Sequence, residues 1–376
     1  MAGIYIHIPL CKQRCYYCDF YSTCNLEQAD DYVRAVVVEC ALRIHELGGE
    51  PVTTLYVGGG TPSVLTQAQF RTLVNGLCEH IDMGAIEEFT VEVNPDDVTP
   101  QLVENLREAG VNRVSMGVQS FVDRELRQIN RRHNATQASE AVSTLHRGGI
   151  DNVSIDIIYG LPGQTLDTLR YSVEQAIACA PRHVSAYCLS YEQDTPLWKM
   201  RERGEVKEAS DELCLAMYEL IRTLLTDAGF LHYEISNYAL PGYHARHNSA
   251  YWDGTPYLGL GAAAHSYDGN RVRRYNPSDM VQYVEAINRG TVCFHEEQES
   301  LEECINDHIM VRLRTSQGLD TEQFKQRFGV SALNCLLTAA KQHLERGLMD
   351  NKNGILRITP QGVMLSDAII SDLFVS

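Results

Sequence analysis

Positive charge is scarce in this 376-residue chain: 32 lysines and arginines stand against 49 aspartates and glutamates, a formal balance of −17. So acidic a chain repels phosphate backbones, which excludes nucleic acid as its main partner. No run approaches the ~18 consecutive apolar residues of a membrane-spanning helix, so membrane contact is at most peripheral. Strand-like sequence begins at Ile4 and leaves no room for a signal peptide, so the expected location is cytoplasmic. The twelve cysteines then read as reduced thiols rather than disulfides. There is no low-complexity tract, no repeat period and no G-x-x-x-x-G-K-S/T phosphate loop. What the chain does have is apolar material, 44% of its residues, enough for a substantial core. Its length suits two or three domains at roughly 100–200 residues each.

Short β-type runs alternate with helical patterns as far as about residue 190. The strand candidates are Ile4–Ile8, Thr54–Val57, Glu88–Val93, Arg113–Val118, Asn152–Ile158 and His183–Leu189. Between them lie helical stretches at Gln28–Leu47, Gln67–His80, Gln101–Ala109, Thr136–Arg147 and Leu166–Ala178. In the first, Tyr32, Val33, Val36, Val37, Cys40, Ala41 and Ile44 recur at helical spacing. Such β-α units build an α/β fold around a parallel sheet, either doubly wound or a partial barrel, whose ligands bind at the C-terminal ends of the strands. This core is expected to span residues 1–200. Residues 201–300 hold a polar stretch (Met200–Asp211), a helix (Glu212–Asp227) and irregular sequence rich in Tyr, His and Gly (Gly229–Tyr275). Residues 301–376 read as helices, a hairpin at Leu348–Thr359 and a last helix, a winged-helix-like module. Eight basic residues against nine acidic ones in that module make DNA reading improbable, and packing is its expected role.

Cys11, Cys15 and Cys18 form C-x3-C-x2-C on the loop after the first strand. Three thiolates so close in sequence can wrap one soft-metal centre. Structural zinc needs a fourth ligand, for which Cys24 and His7 are candidates. A [4Fe–4S] cube held by three cysteines leaves one iron open to a non-protein ligand such as S-adenosylmethionine. The bland alternative is three buried thiols in a loop. Further along, Gly58-Gly59-Gly60 lets backbone approach a ligand closely, or simply makes a tight turn. Thr61 can donate to a carboxylate, and Glu92, at a strand end, can accept from ribose hydroxyls or sit on the surface. Gly259-Leu260-Gly261-Ala262-Ala263-Ala264 superficially fits a dinucleotide fingerprint, but no strand is expected before it and no helix after it. It reads instead as a close-packed loop near the cavity.

The segment Arg246-His247-Asn248-Ser249-Ala250-Tyr251-Trp252 combines an imidazole, a cation and two flat aromatic faces. Those are the groups an axial haem ligand, a propionate partner and a porphyrin wall need. A helix N-terminus with a buried aromatic pair is the alternative, and His244 and His265 compete with His247 as ligand.

Taken together, these motifs resemble the radical SAM superfamily, and within it the coproporphyrinogen dehydrogenase-like branch. The match lies in Tyr5-Ile6-His7-Ile8-Pro9 with the cysteine triplet, Gly58-Gly59-Gly60-Thr61-Pro62, Glu92-Val93-Asn94-Pro95, Ser115-Met116-Gly117-Val118-Gln119-Ser120 and Asp156-Ile157-Ile158-Tyr159-Gly160-Leu161-Pro162-Gly163. It implies a partial parallel (β/α)6 barrel with a C-terminal winged-helix-like module, a [4Fe–4S] cluster on the three cysteines, and S-adenosylmethionine. The family positions assign Tyr5, Gly59 and Glu92 to one adenosylmethionine. They assign Tyr17, Gly60, Thr61, Gln119, Arg131 and Asp156 to a second.

Two departures separate this chain from the dehydrogenases. Phe20 stands where they carry a fourth cysteine, and only ten residues precede Cys11, where they have an N-terminal extension. Both departures, and the H-N-x-x-Y-W segment, resemble the HemW-type haem chaperones. The implied function is to bind haem, with His247 as ligand, and to pass it to acceptor haem proteins, respiratory ones among them. An electron donor would serve the cluster, which gates or powers transfer. The alternative is oxygen-independent coproporphyrinogen III dehydrogenase, converting propionates to vinyls by radical oxidative decarboxylation.

Overall fold

The computed structural model describes residues 1–375. The first half is a run of β-α units: β1 (Ala2–Ile8), α1 (Ala29–Arg43), β2 (Val52–Gly59), α2 (Gln67–Cys78), β3 (Glu88–Val93), α3 (Pro100–Glu108), β4 (Arg113–Gln119), α4 (Asp123–Gln128), α5 (Ala135–Arg147), β5 (Val153–Tyr159), α6 (Leu166–Ala178) and β6 (His183–Cys188). β1 to β6 lie side by side in chain order, all parallel. Ile4, Ile6 and Ile8 are fully buried in the core that also takes Val33 and Val36 of α1. Tyr5 and His7 alternate to the inner face. Side-chain capping boxes start the helices sharply: Thr66 with Gln69 for α2, Asn134 with Gln137 for α5 and Thr165 with Thr168 for α6.

The next elements are α7 (Pro196–Glu202), α8 (Asp211–Asp227), β7 (Leu231–His232), β8 (Asn237–Ala239), α9 (Arg246–Asp253), β9 (Tyr257–Leu260), β10 (His265–Tyr267), β11 (Val272–Tyr275), α10 (Met280–Asn288) and β12 (His295–Gln298). They extend the sheet at both edges, in the order β12-β11-β10-β9-β1-β2-β3-β4-β5-β6-β8-β7. β9 runs parallel to β1, while β8 runs antiparallel to β6. The segment read as irregular thus contains five short strands and a helix. Each strand has four residues or fewer, too few to print a periodicity. The expectation that no strand precedes Gly261 is also corrected, because β9 ends at Leu260. The next element is the strand β10 rather than a helix, so the segment is still no dinucleotide turn. Gly261 is held at φ +97 with its Cα so close to the Tyr32 hydroxyl and the His7 carbonyl that any Cβ would clash. The loop is fixed from below by a buried polar cluster. Glu39 accepts from the Gly261 amide at 2.8 Å and from the Tyr283 hydroxyl at 2.6 Å, and pairs with buried Arg43 at 2.7 Å.

The C-terminal part comprises α11 (Leu301–Leu313), β13 (Leu319–Asp320), α12 (Thr321–Glu345, broken at Gly329), β14 (Met349–Lys352), β15 (Ile355–Ile358) and α13 (Ser366–Asp372). A small antiparallel sheet, β13-β15-β14, carries the expected hairpin. This part has its own apolar core around Ile309, Phe324, Leu336 and Leu356. Among the described residues no helix is long and apolar enough to cross a membrane, and all twelve cysteines are free thiols.

Candidate functional site

A cavity of about 460 Å³ opens at the C-terminal ends of β1 to β6. Eleven of the expected site residues line it: Cys11, Cys15, Cys18, Tyr17, Gly59, Gly60, Thr61, Glu92, Gln119, Arg131 and Asp156. They come from six different segments: the loop after β1 carries the cysteines and Tyr17; Gly59, Glu92 and Gln119 lie at the C-terminal ends of β2, β3 and β4, where parallel strands share one rim; Asp156 lies within β5 and Arg131 follows α4. Phe20, 63% exposed, stands at the mouth.

No three His, Cys, Asp or Glu side chains among the described residues converge as ligands of a single metal ion. The three cysteines instead face the cavity from separate points of one loop, the spread that a cube needs when each of three irons takes one thiolate. The alternative fourth ligands do not fit. Cys24 is exposed and outside the cavity lining. His7 has both ring nitrogens engaged, Nδ1 with the Tyr5 hydroxyl at 3.0 Å and Nε2 with the Tyr21 carbonyl at 3.0 Å. The donor set therefore suits a three-cysteine cluster better than zinc. Burial holds the Cys11 thiol above its ordinary range and pushes Cys18 up to about 11. Cluster assembly must then displace protons from thiols, which iron does.

The loop is pinned from outside by contacts that no sequence motif marks. Lys12 reaches Asp97 at 2.7 Å, and Arg132 reaches Asp96 and Asp97, both at 3.0 Å. Asn130 donates to the Arg14 carbonyl at 2.8 Å, while Gln13 donates to the Asn130 carbonyl at 3.0 Å. Asn94 belongs to the Glu92–Pro95 motif, which could have revealed it; Asp96, Asp97 and Asn130 carry no signal of their own.

Within the cavity, half-buried Arg131 donates to Cys15 Sγ at 3.2 Å and to the Asn94 side chain and the Gly117 carbonyl. Thr61 Oγ1 lies 3.5 Å from Cys11 Sγ, so its hydroxyl faces the cysteine loop. Gly59 sits at φ +110, where a Cβ would strike the His7 ring; a Cβ on Gly60 would meet the carbonyls of Ile8 and Leu10. The protein's own packing therefore leaves no room for a side chain at either position. Glu92 accepts from the Tyr56 hydroxyl at 2.7 Å and from the Gly59 amide at 3.0 Å, and burial pushes it up to about 7. Burial also raises Asp156. Gln119 takes φ +69 at an irregularity in β4, which turns it to the cavity with its buried Oε1 unpartnered. An orphaned buried acceptor beside a cavity is what a donor-bearing ligand would satisfy.

Two expected site residues lie elsewhere. Tyr5 is beneath the cavity, its hydroxyl on His7 and its ring near Tyr56. His247 is deeper still, at the N-terminal side of the sheet, 1% exposed. Its Nδ1 is 2.8 Å from the Thr54 hydroxyl and its Nε2 2.9 Å from the Tyr251 hydroxyl. Burial, with Arg113 adding, drives its pKa down to about 3. With both nitrogens taken and no solvent access, His247 offers nothing to a haem iron. That expectation is corrected: the ring is a core hydrogen-bonding group, and neither the H-N-x-x-Y-W spacing nor its chemistry could tell which side of α9 it faces. Arg246 pairs with Glu87. His244 packs flat on Tyr233, and His265 stacks on Tyr275.

Comparison with known proteins places the chain in a family. Residues 5–176 match the radical SAM superfamily, and residues 300–365 match the HemN C-terminal domain. A Lactococcus lactis protein named heme chaperone HemW is 34% identical over 97% of this chain and 95% of its own length. A Bacillus subtilis protein of the same name is 32% identical over 98% of both. In fold, the chain is similar to the solved structure of Escherichia coli coproporphyrinogen III oxidase, a radical SAM enzyme, with TM-score 0.85, 24% identity, and coverage of 99% of this chain and 90% of that one.

Proposed function

The chain belongs to the radical SAM superfamily and to the family of proteins named heme chaperone HemW, and from that premise we propose that it is a cytoplasmic haem chaperone. It binds haem and hands it to acceptor haem proteins, respiratory ones among them. The observation that carries this reading is the full-length similarity to proteins of that name, together with Phe20 at the rim where a further cysteine would mark a dehydrogenase. The free state of all twelve cysteines suits a reducing compartment.

In this reading Cys11, Cys15 and Cys18 hold the [4Fe–4S] cluster, which supplies one-electron chemistry to S-adenosylmethionine when both are bound. Arg131 fixes the Cys15 sulfur and neutralises charge beside it. Gly59 and Gly60 allow the methionine end of the ligand to lie against backbone, and Thr61 orients it. Glu92 accepts a hydrogen bond at the strand end; Gln119, Asp156 and Tyr17 close the far wall. An electron donor reaches the cluster from the open mouth, where Phe20 is exposed.

Anaerobic reconstitution followed by parallel assays tests the reading. The same sample should bind haem stoichiometrically, release it to an apo-haem protein, and convert no coproporphyrinogen above background with a competent donor. Multiple-turnover conversion to protoporphyrinogen would make the dehydrogenase the correct assignment.

A further inference from the structure

A separate cavity of about 390 Å³ lies between the edge of the large sheet and the C-terminal part. The register of β9, β10 and β11 places Tyr257, Tyr267 and Arg273 on one face of the sheet, since Tyr257 pairs with Tyr267 and Tyr267 with Arg273. Trp252 of α9 closes one side, and α11 and α12 contribute His308 and Arg327. The H-N-x-x-Y-W segment therefore reaches this cleft with its aromatic end, while its histidine points away into the core.

Resting on the haem-chaperone reading, we propose that haem docks in this cleft, with His308 rather than His247 as the axial ligand and Arg327 as the propionate partner. The His308 ring is packed against Phe324 and Phe328, with centroids 5.9 and 5.4 Å away, and lines the cavity. Its nitrogens make no hydrogen bond among the described residues. In contrast, His7, His183 and His247 have both theirs taken by protein groups. Arg327 stacks over Phe328 at 5.1 Å and has no carboxylate partner among the described residues, whereas Arg273 is already paired with Glu299 and Asp307. Tyr257, Tyr267 and Trp252 supply the flat walls, and the buried Trp252 Nε1 has no hydrogen-bond partner. The lining also holds Asp253 and Asp307, the latter paired with Arg273, so Arg327 is the cation left for a propionate; aromatic faces, that cation and one unengaged imidazole suit a planar, metal-bearing ligand. A cleft open to solvent with a single imidazole holds haem while leaving an edge and one axial position reachable by an acceptor.

The test is haem titration of reconstituted protein. His308→Ala should weaken binding about tenfold or more, a loss of roughly 1.4 kcal/mol at least, and displace the Soret band. His308→Met keeps the packing against Phe324 and Phe328 and should shift the band by changing the ligand. Arg327→Gln should weaken binding without shifting the band, and none of the three should alter the iron–sulfur absorbance. If the His308 variants are folded and bind haem with unchanged band and affinity, the site is wrong and the chaperone reading stands. If the wild type binds no haem at all, both fall.

Discussion

Replacing His247 by alanine separates two accounts of the H-N-x-x-Y-W segment. In the structure the ring is 1% exposed and sandwiched near Tyr56, with centroids 5.2 Å apart. It bridges the Thr54 and Tyr251 hydroxyls at 2.8 and 2.9 Å. Removing a buried ring of this size costs about 3–5 kcal/mol. The two hydroxyls left without a partner each carry a desolvation penalty of about 1–3 kcal/mol, part of which sits inside that figure. A loss of about 4 kcal/mol is a large share of a domain's net stability. The urea midpoint of His247→Ala should therefore fall sharply, while the haem-bound Soret band of the protein that remains folded at low temperature keeps its position. There is a pH signature as well. The folded pKa of about 3 lies below the ordinary 6.5, so this ring contributes stability that is complete above about 6.5 and lost as the pH falls toward 3. That part of the acid sensitivity should disappear in the variant. An unchanged midpoint with a lost or displaced Soret band would refute the structural role and return His247 to the iron.

The cysteine assignment predicts that changing Cys11, Cys15 and Cys18 together to alanine abolishes iron and sulfide binding, whereas Cys24→Ala retains both. Iron analysis and visible absorbance after anaerobic reconstitution decide it, and a loss in Cys24→Ala would move the ligand set. Glu92 predicts the opposite pH trend to His247. Its folded pKa of about 7 lies above the ordinary 4.5, so the stability it contributes is complete below 4.5 and lost as the pH rises through 7. Glu92→Gln should gain on the wild type between pH 5 and 8, by up to about 3 kcal/mol at 1.36 kcal/mol per pK unit. Thermal unfolding of cluster-free protein measures this, and parallel pH profiles for the two would contradict it.

The six parallel strands were legible because each is long enough to show a β-type apolar run and most end at a glycine, proline or asparagine. The cysteine triplet and the motifs around Gly59 and Glu92 were equally plain, since they fall at C-terminal strand ends, which a parallel sheet gathers on one rim, whereas Gln119, Arg131 and Asp156 were picked out only by the family resemblance. The short strands β7 to β11 were not legible. They are stabilised by edges of the sheet contributed from far along the chain, not by their own pattern. The cysteine loop's restraints, such as Lys12 on Asp97 and Asn130 on the Arg14 carbonyl, join residues 85 and 116 positions apart. His247 shows the limit most directly. Its residue type and its neighbours suggested an iron ligand, but a helix carries side chains all around its axis, and sequence does not say which side meets the core. Packing of α9 against β2 buried that imidazole and gave both its nitrogens to hydroxyls. α11, packed against the same helix, carries His308, which no local motif marked, into the lining of the neighbouring cleft. Identity and spacing decide what chemistry a residue can do; only the close-packed tertiary arrangement decides which nitrogen is left with nothing to bind.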